Sequence, residues 1–169
     1  MGFIEEYRKH VEERAKLGIP PLPLNAKQVE QLVELLQQVP IVEEKFLMDL
    51  FLNRVPPGVD DAAFVKAKFL ADIIEGKKKS LAITPVHAVE ILGTMLGGYN
   101  VEPLIKALSH KDEEIAKAAA KALKNILLVY DYFNDVVELA KSGNKHAQEV
   151  LESWANAEWF YQRSLCQRK

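Results

Sequence analysis

Apolar residues recur every three to four positions along nearly the whole chain, and proline and glycine interrupt the recurrence. Phe3, Ile4, Tyr7, Val11 and Ala15 mark one face of a first predicted helix, with Glu5, Glu6, Lys9, Glu12 and Glu13 on its other faces. Gly18 ends it, and the run 19–24 (IPPLPL) is too rich in proline to be anything but an extended connector. Asn25 is placed to cap a second helix with Val29, Leu32, Val33 and Leu36 inside, and Pro40 follows its stop. A third helix is expected from about Val42 to Val55 around Phe46, Leu47, Leu50 and Phe51, before the break at Pro56-Pro57-Gly58. Asp60 or Asp61 caps a fourth, carrying Phe64, Phe69, Leu70, Ile73 and Ile74 and ending near Gly76.

Beyond the basic loop Lys77-Lys78-Lys79-Ser80, Thr84 is a cap and Pro85 occupies the first helical position, where its missing N–H costs nothing. Val89, Leu92 and Leu96 form the predicted stripe with Met95 beside them, and Gly97-Gly98 stops the helix. Asn100 is expected to cap a short helix through Leu104, Ile105 and Leu108, and Asp112 a longer one through Ile115, Ala119, Ala122, Leu123 and Ile126. A helix over Phe133–Lys141 and a last one through Val150, Leu151 and Trp154, with Trp159 and Phe160 near its end, complete the chain. No run alternates strictly enough to predict a strand. The predicted fold class is all-α, with about eight or nine helices. Residues 1–162 are expected to form one domain and 163–169 a short tail.

The segment 101–127 (VEPLIKALSHKDEEIAKAAAKALKNIL) pairs a short apolar helix with an alanine-rich one across an acid-capped turn. That pattern resembles the HEAT repeat, in which antiparallel helix pairs stack into an α-solenoid. Its alanines make physical sense as small residues that let neighbouring helices approach closely.

The composition adds mainly exclusions. The chain is 169 residues long, 49 % hydrophobic and 27 % charged, with a formal net charge of −2. No global field favours nucleic acid or an anionic membrane. MGFIEEYRKH is acidic early and is no secretory signal, and no stretch approaches the roughly 18 apolar residues of a membrane span, so a cytoplasmic location is expected. Cys166 is the one cysteine, which rules out an internal disulfide framework and a cysteine-ligated zinc or iron–sulfur site within this chain. His10 with Glu6 and Glu13, and His146 with Glu149, have helical ligand spacing but lie on charged stripes read as solvent-facing. His87 is a first-turn residue. The glycines at 97 and 98 follow no strand and lack the order of a phosphate cradle. No catalytic, cofactor-binding or metal-binding residue is therefore assigned. Lys77–Lys79 with Arg163, Arg168 and Lys169 are the only basic candidates for RNA, without interleaved aromatics. Protein contact is the leading expectation. The candidate surface is Asn53, Arg54, Pro56 and Pro57 in one loop with Tyr99 and Asn100 in the turn after the glycines.

Four segments, EEYRKHVEERAKLGI, FLMDLFLNRVPPGVDDAAFVKAKFLADI, ITPVHAVEILGTMLGGYNVEPLIKAL and SGNKHAQEVLESWANAEWF, together make the chain similar to the N-terminal helical domain of the bacterial aconitase B family. The resemblance runs from about Ile4 to Phe160, and NRVPPGVD with GTMLGGYN are its most specific marks. It implies a HEAT-like domain that precedes a swivelling domain and the catalytic domains of an enzyme interconverting citrate and isocitrate and dehydrating 2-methylisocitrate. In the family the 4Fe–4S cluster and its ligands lie in those later domains, so no catalytic or cluster residue carries over. The implied role is protein–protein contact, including self-association and contact with the catalytic domains, and walling part of the route to the active site. After Phe160 the chain departs from the family and reads YQRSLCQRK. Either it is an excised piece of such an enzyme, or it is a separate small protein, a stand-alone helical adaptor; RNA binding ranks third.

Overall fold

The computed structural model describes residues 2–38, 40–126 and 129–157. Among them are nine α-helices, one 3-10 turn at Tyr130–Tyr132 and no strand. In chain order the helices are α1 (Phe3–Lys16), α2 (Ala26–Leu36), α3 (Glu44–Asn53), α4 (Asp61–Ile74), α5 (Pro85–Gly93), α6 (Val101–Ala107), α7 (Glu113–Lys124), α8 (Phe133–Lys141) and α9 (Lys145–Ala155).

The caps behave largely as their chemistry dictates. Asn25 accepts a hydrogen bond from the Gln28 backbone at 3.0 Å, and the Gln28 side chain accepts one back from the Asn25 backbone at 3.0 Å. The Thr84 hydroxyl accepts from the His87 N–H at 3.2 Å, the Asp112 carboxylate from the Glu114 N–H at 2.9 Å, and Asn144 from the Ala147 N–H at 2.9 Å. Asp60 stands at the head of α4 without a side-chain cap.

The helices pack as a row, α2 on α4, α4 on α5, α5 on α7 and α7 on α9. Flanking helices cover it: α1 and α3 lie against α2, α6 against α5 and α7, and α8 against α9. One continuous apolar core runs the length of this row, from Leu32 and Leu36 through Phe51, Phe69 and Leu70 to Leu92, Leu104, Leu123 and Val150. The alanine-rich α7 allows the expected close approach. A Cβ placed on Gly93 of α5 would lie 2.9 Å from the Ala122 Cβ, so the two helices meet at a distance only a bare α-carbon permits.

The structure corrects five of these expectations. Helix α5 stops at Gly93, with Thr94 as its C-cap, rather than running to the glycine pair. The last turn tightens, with the Thr94 N–H donating to the Ile91 carbonyl at 3.0 Å and Met95 to Leu92 at 3.1 Å, and Leu96 then donates to the Pro57 carbonyl at 2.8 Å instead of resuming the helix. Leu96, expected inside, is 80 % exposed, and Phe64 is 51 % exposed. His146, read as solvent-facing, is 5 % exposed, with Nε2 3.3 Å from Glu113 on α7. Helix α3 is also shorter than expected, because Glu43 before it takes φ +59°. Leu127, Trp159, Phe160, the expected tail and Cys166 lie outside the described residues.

Candidate interaction surface

The loop 54–60 between α3 and α4 and the turn 94–100 between α5 and α6 are built against each other. Pro56 and Pro57 fix the backbone of the first loop, and three successive contacts join it to the second. The Pro57 carbonyl accepts the Leu96 N–H, the Gly58 backbone lies against Gly97, and the Val59 carbonyl accepts the Tyr99 hydroxyl at 3.1 Å. A Cβ on Gly97 would stand 1.8 Å from the Gly58 carbonyl oxygen, so no other residue fits there without moving backbone. The turn then closes through Gly98 at φ +93°.

The first loop is also fixed from beneath. The Lys66 ammonium, on α4, donates to the Phe51 carbonyl at 2.7 Å near the end of α3 and lies 5.0 Å from the Phe51 ring centroid. Lys66 is only 4 % exposed, and burial lowers its pKa to about 8. The Arg54 guanidinium donates to the Tyr7 hydroxyl at 3.1 Å and to the carbonyls of Pro21 and Leu22, while its own carbonyl accepts the Leu24 N–H at 2.8 Å. The extended connector is thereby tied across the end of α3.

Of the six residues singled out from the sequence, the structure brings four to the surface. Tyr99 is 36 % exposed, Asn53 and Pro57 are exposed, and Pro56 is half-buried. Asn53 bonds to Asp49 one turn back at 2.8 Å. Arg54 is occupied in the scaffold just described. Asn100 is corrected on both counts, since it is buried and does not cap α6 with its side chain. Its amide donates to the Leu92 and Met95 carbonyls at 2.9 and 3.0 Å, satisfying the frayed end of α5. A side chain committed in this way is a positioning element rather than a contact surface.

Three apolar residues absent from the expectation complete the surface. Val59 is 73 % exposed, Leu96 projects from the turn, and Phe64 packs edge-on against Tyr99 with ring centroids 5.3 Å apart. Phe64 had a detectable signal: it shares its helical stripe with Lys68 and Glu75, off the face that holds Ala63, Ala67 and Leu70. Leu96 had none, because a tertiary hydrogen bond set its position. The Phe64 end of this patch opens into a groove of about 570 Å³ between α2 and α4, lined also by Glu30, Glu34, Asp61 and Lys68.

The other candidate chemistries gain little. His10 accepts the Leu22 N–H at 3.0 Å and His110 the Asp112 N–H at 3.0 Å, so both fix backbone. No group of three or more histidine, cysteine or acidic side chains among the described residues could hold a metal ion. A 4Fe–4S cluster needs several thiolates, and the chain has one cysteine, so its residues do not fit that cofactor. In the basic loop Lys77 pairs with Glu75, which raises its pKa through a side-chain hydrogen bond, and Lys78 lies 3.8 Å from Asp72. No helix among the described residues is long and apolar enough to cross a membrane.

Comparison with known proteins places this geometry in context. The profile of the family described as Aconitate B N-terminal domain matches residues 6–160. Aconitate hydratase B of Escherichia coli is 57 % identical over 167 residues, which cover 99 % of this chain and 19 % of that protein. The Salmonella typhimurium enzyme is 57 % identical over 95 % of the chain, and that of Helicobacter pylori 54 % identical over 94 %. The chain spans about a fifth of the length of these relatives.

Proposed function

The chain belongs to the Aconitate B N-terminal domain family, and from that premise we propose that it serves as a non-catalytic interaction domain of an aconitate hydratase B type of enzyme. Under this reading the citrate–isocitrate chemistry and its iron–sulfur cluster reside in parts of such an enzyme that this chain does not span. The chain contributes a rigid helical stack, HEAT-like in its row of packed helices, that holds a contact surface for other polypeptide in the cytoplasm. The observation that carries the reading is the interlocked pair of loops, because a fixed backbone displaying exposed apolar side chains is what protein contact requires.

The test compares the chain alone with a chimera in which it replaces the matching segment of the Escherichia coli relative. Hydrogen exchange should show at least one face of the chain protected about ten-fold or more in the chimera relative to the chain alone. Equal exchange everywhere would sink the interaction reading. The chain alone, supplied with iron and sulfide, should turn over no isocitrate, and turnover above blank would sink the non-catalytic one.

A further inference from the structure

The connector between α1 and α2 is held by side chains of two kinds, and only one kind can change its charge. Pro20, Pro21 and Pro23 restrict their own backbone and that of the residues before them, so 19–23 runs as an extended strap. Arg14 of α1 donates through Nε to the Pro20 carbonyl at 2.6 Å, and Arg54 donates to the carbonyls of Pro21 and Leu22. Ile19 and Leu22 carry the only N–H groups in this stretch. That of Ile19 goes to the Arg14 carbonyl at 3.2 Å. That of Leu22 goes to Nε2 of His10 at 3.0 Å, across twelve residues of chain.

Guanidinium groups donate at every ordinary pH and keep their carbonyls. An imidazole accepts only through a nitrogen without a proton. On gaining one, His10 loses the lone pair that Leu22 uses and turns an N–H toward an N–H. It also adds a third positive charge to a strap already bound by two. On α1 itself Glu6 and Glu13 lie one turn to either side of His10 and favour the proton, while Lys9, 3.8 Å from Glu13, and Arg14 oppose it. The Tyr7 ring lies 6.2 Å away with its hydroxyl accepting from Arg54, and the strap has no ionisable side chain of its own. Among the described residues His10 makes no ion pair, so no carboxylate is placed to hold the cation against the fastened strap. His110 makes a bond of the same kind, but to Asp112 within its own turn, and so joins no distant segments.

We propose that His10 is an acid-sensitive catch for the strap 19–23, fastening it to α1 when neutral and releasing its Leu22 end when protonated. The fastened state excludes a proton that the released state takes up, so release grows as pH falls. The arginine bonds to Pro20 and Pro21 do not titrate, and neither does the Leu24 N–H bond to the Arg54 carbonyl at 2.8 Å. The opening is thereby confined to the middle of the strap, where Ile19 and Leu22 already face solvent.

The test is hydrogen exchange of single amides in the whole chain at about pH 8 and about pH 5, on either side of the imidazole range, each rate referred to the intrinsic rate at that pH. Protection of Leu22 should fall about five-fold in acid, the size of one lost hydrogen bond. Leu24, and Ala120 and Leu123 in α7, should keep theirs. His10→Gln offers an amide oxygen that takes up no proton in this range, and it should make Leu22 protection independent of pH. His10→Ala should leave it low at both pH values, and His110→Gln should leave the parent's response intact. Equal protection of Leu22 at the two pH values in the parent, or a fall that persists in His10→Gln, would overturn the proposal. A fall shared by Ala120 and Leu123 would overturn it as well, since the whole fold would then be opening rather than the strap.

Discussion

Two glycines four residues apart, Gly93 and Gly97, use the same freedom to opposite ends. Gly93 lets α5 meet α7, with its missing Cβ 2.9 Å from that of Ala122. Both partners there are side-chain space, and the approach draws two helices together over a buried core. Gly97 lies against the backbone of Gly58, where a Cβ would come within 1.8 Å of a carbonyl oxygen. That contact joins two surface loops and leaves Leu96 outside. The same absence of a side chain builds the interior in one place and fixes an exposed surface in the other. The difference lies in the depth of the overlap: the Ala122 Cβ is fixed to its helix, so at 2.9 Å α5 and α7 need only separate by a few tenths of an ångström, whereas at 1.8 Å from a carbonyl oxygen the two loops must part.

Gly97→Ala tests the stiffer of the two and should have the largest effect. The added methyl overlaps the Gly58 carbonyl, so the loops must separate, at a cost of about 3–4 kcal/mol. Urea denaturation should show a lowered midpoint, and amide exchange should quicken at Leu96 as its N–H leaves the Pro57 carbonyl. An unfolding free energy within about 0.5 kcal/mol of the parent would show that the loops are not locked.

Lys66 supports the surface side of the comparison from within the core. Its pKa is lowered by burial to about 8, whereas the unfolded chain holds the same proton up to 10.5. Between those values the unfolded state binds more protons than the folded one, so stability rises with pH. The rise should be roughly 3 kcal/mol, complete near pH 10.5. Lys77, Lys106 and Lys145 have raised pKa values from their partners Glu75, Glu102 and Glu113, so their contributions are present below the usual lysine pKa and fade above it. Lys66→Met should therefore flatten the rise between pH 8 and 10.5 and leave the fall above it. A curve unchanged by Lys66→Met would mean that the ammonium is solvated.

Gly93→Ala probes the softer contact and should cost about 1–2 kcal/mol, the helix propensity gained by alanine offsetting part of the crowding. Ala122→Gly in the same chain should recover part of that loss, with a favourable coupling of about 1 kcal/mol in the double-mutant cycle. Strict additivity of the two substitutions would show that α5 and α7 are not held by this pair.

The helices and most caps were legible because they rest on local chemistry: Asn25, Thr84 and Asp112 cap the turn that follows each of them. The all-helical fold followed from the three-to-four spacing of Val29, Leu32, Val33 and Leu36 and its repetition down the chain. The loops were recognisable as a pair worth attention, but their lock was not. Contacts from Pro57 to Leu96 and from Val59 to Tyr99 span about forty residues, and no local rule encodes them. That is why local rules make Asn100 a cap and Leu96 core, and place Phe64 inside despite a stripe that points outward. His146 follows the same pattern, since Glu113 reaches it from another helix.

The finest probe of the lock is Tyr99→Phe. The ring keeps its edge-on contact with Phe64 at 5.3 Å, and only the hydroxyl donated to the Val59 carbonyl at 3.1 Å is removed. Val59 is exposed, so its carbonyl can turn to water and the net cost should be about 0.5–1 kcal/mol. Under the loop-lock view that small loss has a specific address. Amide exchange should quicken at Leu96, whose N–H is held by Pro57 in the same zipper, and stay unchanged at Ala120 and Leu123 in α7. Faster exchange in α7 as well would mean that surface lock and helical core open as one unit, and the contrast between Gly93 and Gly97 would then be one of geometry alone.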